Sequence, residues 1–279
     1  MTDAPGPQQP ARMLEVLEGR ARKRFGQHFL ASTGIVRRII GLAEIEDGTR
    51  VVEVGPGLGV LTEHLVAAGG RVVAIELDRD LANHIQGRFP EVTLHQLDGA
   101  SIDWSTFLEG SQWRCVANLP YNVGTRIVTR MLACPDRFSR LVVMLQREVA
   151  ERMVAPAGRR NRGALSVYVE ARAQARIALR VPPGAFHPPP RVHSAVVVLD
   201  VHEPRISGVP VEHFDRVVRT SFSAPRKTIR NTLSSGWERE RVDEALNRAE
   251  VESRRRPGTL SVEEFVRLAR VLEETDPCA

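Results

Sequence analysis

The chain has 279 residues, 42% of them hydrophobic and 26% charged, an ordinary balance for a globular protein, and its net charge of +5 favours a polyanionic partner. No apolar run approaches the length of a membrane span, and the N-terminus has the features of neither a secretory signal nor a transit peptide. Three cysteines form no CxxC pair and no metal-ligand spacing, so we expect reduced thiols in a cytoplasmic protein without a metal site.

The N-terminal segment divides into a tail, a basic run and a helix. Residues 1–19 are rich in Pro, Gly and Gln, and we expect a disordered tail there. The four basic residues within Arg20–Arg24 precede the hexapeptide Phe25–Leu30, a position that favours contact with nucleic acid. A helix capped by Ser32 or Thr33 follows. Its predicted apolar face comprises Ile35, Val36, Ile39, Ile40 and Ala43.

From Thr49 onward, short apolar runs alternate with helix-length segments. The predicted strands are Arg50–Val54, Arg71–Ile75, Val92–Gln96, Trp113–Ala117 and Leu141–Leu145. Strands of near-continuous apolar character separated by helices are typical of a parallel sheet covered on both faces. The sequence therefore predicts an α/β, Rossmann-like fold.

The pattern changes after the fifth predicted strand. Val181–Pro190 is too rich in proline for a helix or a central strand, and we predict a stiff, extended loop that presents Phe186. A strand over Val192–Val201 follows, and beyond it only helical periodicity remains. We therefore predict a catalytic domain over residues 20–203 and a smaller, all-helical domain over residues 204–279.

Groups suited to ligand binding follow the carboxyl ends of successive predicted strands. The first strand leads into the glycine loop Gly55–Gly59, where Gly55 and Gly57 let the backbone approach a ligand. Glu76 lies about 20 residues further on, where an acid binds ribose hydroxyls, and Asp98 and Asn118 end the next two strands. The glycine loop alone fits NAD or FAD almost as well. The four groups in order point to S-adenosylmethionine.

The tetrapeptide Asn118-Leu119-Pro120-Tyr121 ends the fourth predicted strand at a rigid turn, since proline restricts both its own backbone and that of the preceding residue. The turn displays an amide, a carbonyl and a flat ring together, which suits a planar base with an exocyclic amine. A lone four-residue match is equally compatible with a helix-initiating turn whose tyrosine packs in the core.

Six longer motifs resemble the RsmA/KsgA ribosomal RNA adenine dimethyltransferases, from about Arg20 into the last helices. They are Phe25–Leu30, Val54–Gly59, Asn118–Asn122, Met144–Met153, Val181–Ser194 and Ser221–Leu233. The resemblance implies dimethylation of N6 on two adjacent adenosines in a hairpin loop near the 3′ end of 16S ribosomal RNA, within the immature small subunit. It also implies a set of residues that contact the methyl donor: His28, Leu30, Gly55, Glu76, Asp98 and Asn118.

The chain departs from the family's pattern at three positions. His28 stands where many relatives have Asn, which preserves hydrogen bonding and adds a pH dependence. His193 stands where Asp is common, and Pro225 replaces a basic residue. None of the three touches the transfer centre, so we expect activity to be retained and RNA affinity to be the property affected.

The predicted mechanism follows from the weak nucleophilicity of an aromatic amine. The Asn118 side-chain oxygen and the Leu119 carbonyl accept the two N6 hydrogens, in a turn that Pro120 holds rigid. Tyr121 and Phe186 sandwich the purine, each contact contributing about 1–3 kcal/mol. We therefore assign the catalytic role to these five residues and expect positioning to be the main catalytic term.

RNA binding is assigned to basic residues in two segments. Arg226, Lys227 and Arg230 lie in one of the family motifs, and Arg159, Arg160 and Arg162 are expected to border the cleft. Phosphate contacts by these residues predict a steep loss of affinity with salt. The enzyme is expected to be a monomer without membrane contacts.

Two other hypotheses compete with a small-subunit methyltransferase. The first is an erythromycin-resistance type of enzyme that modifies large-subunit ribosomal RNA, against which Leu119 and the segment Ser221–Asn231 are evidence. The second is a mainly non-catalytic assembly factor, although the residues expected to hold the donor and the amine are in place. A dinucleotide-dependent dehydrogenase is disfavoured by the spacing of the glycines.

Overall fold

A computed structural model describes residues 28–274 of the chain. The predictions for the tail at residues 1–19, the basic run Arg20–Arg24 and the start of the following motif lie outside the described residues. The chain packs as two units. Among the described residues, the first comprises residues 28–150 together with Arg176–Val201, and the second comprises Glu151–Ala175 and residues 202–274.

The first unit is built on a mixed, mainly parallel sheet. The strands are β1 (Phe29–Leu30), β2 (Arg50–Val54), β3 (Arg71–Ile75), β4 (Thr93–His95), β5 (Trp113–Asn118), β6 (Phe138–Gln146), β7 (Ala173–Val181), β8 (Phe186–His187) and β9 (Ser194–Val201). Seven of these strands form one sheet in the order β4-β3-β2-β5-β6-β9-β7. The strands from β2 to β6 pair in parallel, and β9 runs antiparallel to β6. The predicted α/β, Rossmann-like fold is confirmed.

Helices connect the parallel strands, because a parallel pair needs a crossover connection. Between β2 and β6 these helices are Val60–Ala67, Arg79–Arg88, Trp104–Phe107 and Gly124–Leu132. The helix Thr33–Ala43 precedes β2, and the helix Arg147–Met153 follows β6. The helix Arg79–Arg88 begins after Asp78, which caps it. The Asp78 side chain accepts hydrogen bonds from the backbone N–H groups of Asp80 and Leu81. The predicted helix near Ser32 is also present, and it buries Val36, Ile39 and Ala43.

Two strands of the structure, β7 and β8, were not predicted from the sequence. β7 was not predicted, although an alternation of buried and exposed residues runs through part of it, as is common for a strand at the edge of a sheet. The proline-rich segment predicted as a loop contains β8, which pairs antiparallel with β1 so that Leu30 lies opposite Phe186. The pairing buries both side chains, since Leu30 is 3% and Phe186 is 4% exposed.

The second unit is helical, with its own hydrophobic core. Its helices are Ala164–Glu170, Val211–Ser221, Ile229–Leu233, Arg239–Arg248 and Val262–Glu274. The prediction that the first domain runs without interruption to residue 203 is wrong, because Val167 and Ala171 are fully buried in the same cluster as Phe214 and Phe265. Within residues 28–274, no helix combines the length and apolarity needed to cross a bilayer.

Candidate functional site

A cavity of about 200 Å³ lies at the carboxyl ends of β2, β3 and β5 in the first unit. The structure brings together there every residue that the sequence assigned to the methyl donor: His28, Leu30, Gly55, Gly57, Glu76, Asp98 and Asn118. Leu119, Pro120 and Tyr121 line the same cavity. Because neighbouring strands of a parallel sheet end on the same edge, Gly55, Glu76 and Asn118 converge on one site. His28 joins them through the hydrogen bond that its carbonyl accepts from Asn118.

The glycine loop adopts a backbone that only glycine accommodates well. Gly57 and Gly59 have φ angles of +57° and +78°. A Cβ atom at Gly59 would lie 2.5 Å from the ring of Phe89, and one at Gly57 would lie 3.0 Å from the ring of Phe29. The loop therefore passes close to packed side chains while its backbone forms one wall of the cavity.

Two carboxylates predicted from the sequence border the cavity at the ends of β3 and β4. Glu76 is 7% exposed and accepts hydrogen bonds from the Gly57 N–H at 3.2 Å and the Asp78 N–H at 2.9 Å. Burial raises the pKa of Glu76, and these backbone N–H groups oppose the shift. Asp98 accepts from the Ala100 N–H at 2.9 Å and from the Ser101 hydroxyl at 2.8 Å. Asp98 thus organises its own turn and lines the cavity at the same time.

Another carboxyl group, that of Glu53, also lines the cavity and was not assigned from the sequence. It is 1% exposed, and its Oε2 accepts a hydrogen bond of 2.7 Å from the Thr62 hydroxyl. No hydrogen bond within residues 28–274 reaches its Oε1. Burial is the main cause that raises the pKa of Glu53 to about 8, aided by the nearby charge of Glu76. The sequence signal for this group is an acid in an otherwise apolar strand directly before the glycine loop.

The Asn118 amide has a defined orientation. Its Nδ2 donates a hydrogen bond of 2.9 Å to the backbone carbonyl of His28, so the side-chain oxygen is left as an acceptor. Leu119 is buried, and its N–H donates to the Met144 carbonyl at 3.3 Å. The Pro120 carbonyl accepts from the Gly124 N–H at 2.9 Å, where the next helix starts. The tetrapeptide is therefore both a helix-initiating turn and a wall of the cavity.

The aromatic neighbour of Tyr121 differs from the one predicted. The Tyr121 ring stacks on the His28 imidazole, with centroids 5.7 Å apart and an interplanar angle of 29°. The expectation that His28 stays clear of the transfer centre is therefore wrong, because His28 lines the same cavity as Asn118 and Tyr121. The prediction that an extended loop presents Phe186 is wrong, because the β1–β8 pairing buries its ring in a cluster with Leu30 and Val36. Phe186 is not among the residues that line the cavity.

The basic residues predicted to bind RNA all belong to the second unit. Arg226 and Lys227 are exposed in the turn before the helix Ile229–Leu233, and Arg159 and Arg160 are exposed in another loop. Within the described part of the chain, no side-chain hydrogen bond or ion pair engages any of these four residues. They are therefore available to a polyanion.

Two further arginines from that prediction are already engaged within the unit. Arg230 forms a bidentate ion pair with Asp243. The prediction for Arg162 is wrong, because its side chain is fully buried. The guanidinium of Arg162 donates to the carbonyls of Ala155 at 2.9 Å and Leu260 at 3.2 Å and pairs with Glu170 at 2.6 Å. Arg162 thus joins separate segments of the second unit.

Comparison with known proteins shows which family the chain belongs to. The sequence model of the family described as ribosomal RNA adenine dimethylase matches residues 18–274. Ribosomal RNA small subunit methyltransferase A of Syntrophotalea carbinolica is 42% identical, over 91% of this chain and 97% of its own. The protein of the same name from Pseudomonas aeruginosa is 39% identical, over 94% and 98%.

Solved structures show the same fold. The 23S rRNA methyltransferase ErmE is 25% identical, with a TM-score of 0.68 over 88% of this chain and 99% of its own. A dimethyladenosine transferase from Plasmodium falciparum is 22% identical, with a TM-score of 0.72 over 86% and 96%. From the extent of the sequence matches, the chain belongs to the ribosomal RNA adenine dimethylase family.

Proposed function

We propose that this protein uses S-adenosyl-L-methionine to dimethylate N6 of two adjacent adenosines in the 3′-terminal hairpin loop of 16S ribosomal RNA, and so takes part in small-subunit biogenesis. One observation carries the proposal: the residues assigned to the methyl donor and the Asn118 amide meet in a single cavity. The sequence relatives, about 40% identical and named small-subunit methyltransferases, support the choice of RNA. An immature small subunit as substrate, a monomeric enzyme and action in the cytoplasm belong to the same proposal.

The chemistry of the cavity fits this methyl donor. Gly55 and Gly57 bring backbone without a side chain to the cavity wall. The carboxylates of Glu76 and Asp98 suit ribose hydroxyls and an adenine amino group respectively. When bound, S-adenosyl-L-methionine supplies a methyl carbon that a positively charged sulfur makes electrophilic. Negative groups around a positively charged ligand are electrostatically favourable, and the carboxyl groups of Glu76, Asp78 and Asp98 line this cavity.

The residues of the tetrapeptide supply orientation. The N6 lone pair of adenine is delocalised into the ring, so the amine must be held with that lone pair directed at the methyl group. Asn118 Oδ1 and the Leu119 carbonyl accept the two N6 hydrogens, and the Tyr121 ring stacks on the purine, contributing about 1–3 kcal/mol. No strong base is required, so positioning supplies most of the rate enhancement. The second transfer proceeds with only one of the two N6 hydrogen bonds.

The exposed basic residues of the second unit suit the phosphates of the RNA. Arg226, Lys227, Arg159 and Arg160 are assigned to this contact, which gives affinity without reading sequence. The target adenine must leave its stack to enter the cavity, and a hairpin loop lowers that cost.

The test is a methylation assay with radiolabelled donor on small subunits that lack the modification, followed by nucleoside analysis for dimethyladenosine. Large subunits are assayed in parallel, because the fold is shared with a 23S rRNA methyltransferase. Label in 16S ribosomal RNA as dimethyladenosine supports the proposal. Label confined to large-subunit RNA favours the erythromycin-resistance type, and binding to the small subunit without label favours an assembly factor.

A further inference from the structure

The hydroxyl group of Tyr121 is anchored by a residue outside the tetrapeptide. Its oxygen lies 2.6 Å from Ser194 Oγ, a hydrogen bond between residues 73 apart in sequence. Ser194 is fully buried as the first residue of β9, and it pairs with Gln146 of β6. The anchor therefore sits on a buried strand of the central sheet, and core strands of this kind open less readily than loops.

Ser194 breaks the chemical pattern of its strand. The five residues that follow it, Ala195–Leu199, are apolar and fully buried. A buried hydroxyl costs free energy unless it is hydrogen-bonded, and its partner here is a phenol at the wall of the cavity. A serine at this position thus connects the sheet core to the functional site.

A second contact, on one face of the ring, also restrains Tyr121. The His28 imidazole stacks on it, and His28 Nδ1 lies 2.8 Å from the Pro188 carbonyl oxygen. The ring is therefore constrained both at its hydroxyl and on a face. A ring that stacks on a base acts well only if its plane is defined closely, because catalytic groups must be held to within about 0.5 Å and 10–20°.

We propose that Ser194 is a positioning residue of the methyltransferase: by holding the Tyr121 hydroxyl, it sets the plane against which the target adenine stacks. Ser194 does not line the cavity, so its role is assigned through Tyr121 alone. The proposal rests on the proposed function, because it requires a purine beside Tyr121.

The test is a double-mutant cycle with Ser194→Ala, Tyr121→Phe and the double variant, each of which removes the same hydrogen bond. We measure kcat and KM on unmethylated small subunits, together with donor affinity. Each single variant is expected to lower kcat about five- to tenfold, the effect of one hydrogen bond. Donor affinity should stay within twofold, and the double variant should be no slower than either single one.

A matched control separates positioning from general loss of packing. Ser221→Ala removes another fully buried serine hydroxyl, which donates to the Val217 carbonyl at 2.7 Å in the second unit. This variant should keep the kcat of the unchanged protein. A second readout needs no turnover: the chain has two tyrosines, and Ser194→Ala should shift and broaden only the NMR ring signals of Tyr121.

The outcomes are distinct. If the unchanged protein makes no dimethyladenosine, the proposed function fails and this inference falls with it. If the unchanged protein is active while Ser194→Ala keeps its kcat, or while the two single effects multiply in the double variant, the positioning role of Ser194 alone is overturned.

Discussion

Replacing Glu53 with glutamine should change how the stability of the protein depends on pH. The carboxyl group is 1% exposed, and its one hydrogen-bond donor within the described chain is the Thr62 hydroxyl. Burial raises its pKa from 4.5 to about 8 in the folded state. Between these two values the unfolded chain has lost this proton while the folded chain keeps it.

The sign and size follow from proton linkage. The protonated carboxyl contributes its full stability below pH 4.5, and that contribution is lost as the pH rises towards 8. The displacement from 4.5 to about 8, at 1.36 kcal/mol per pH unit, corresponds to about 5 kcal/mol in total. Roughly 3 kcal/mol of this change falls between pH 5 and pH 7.5. The glutamine side chain of Glu53→Gln does not titrate, so this pH-dependent loss of folding stability should be absent in the variant.

The assay is urea unfolding of both proteins at intervals from pH 5 to pH 8, in a Trp237→Phe background. Fluorescence then reports Trp104 and Trp113, which are both buried in the first unit. The stability of Glu53→Gln relative to the parent should rise steadily across this range. The exposed residue Glu91 provides the control, since Glu91→Gln should leave the profile of the parent unchanged. A constant difference between parent and Glu53→Gln at every pH would refute the reasoning.

Three further predictions test the site, the RNA contact and the glycine loop. Asn118→Ala should lower the single-turnover rate of methyl transfer about 100–1,000-fold while donor affinity changes only a few-fold, because it removes a preorganised acceptor; turnover near that of the unchanged protein would exclude this role. Lys227→Glu should weaken RNA binding and make the plot of log affinity against log salt shallower by about 1, and an unchanged slope would rule out a phosphate contact. Gly59→Ala should destabilise the first unit by about 2–5 kcal/mol in urea unfolding, because of its positive φ and the contact with Phe89. Gly41→Ala, within a helix and with open space around it, should be neutral or stabilising, and equal effects of the two would contradict the steric argument.

Local sequence predicted the sheet and the donor side of the site well. β2 and β3 begin and end at the predicted residues, because each is a short apolar run bounded by turn-forming residues. In a parallel sheet, a polar group directly after such a run lies at the ligand-binding edge. Glu76, Asp98 and Asn118 could therefore be assigned from chain order alone, and all three line the cavity.

Features that depend on distant pairing could not be predicted in this way. The burial of Phe186 results from its pairing with Leu30, which lies far away in sequence and is no more apolar than many other candidates. Arg162 resembles its exposed neighbours Arg159 and Arg160 in sequence, and only the carbonyls and the carboxylate around it reveal its role. The Ser194 hydroxyl likewise has no local signal beyond being polar in an apolar strand.

The bond from Asn118 to the His28 carbonyl has a consequence for the order of events during synthesis. His28 leaves the ribosome early, yet its partners Asn118 and Pro188 follow 90 and 160 residues later. Contacts of such long sequence separation form late, because the loops that they close are entropically costly. A nascent chain therefore contains the glycine loop Gly55–Gly59 well before the Asn118 amide and the His28 ring are held in place. It becomes competent to modify RNA only after most of its length has been translated.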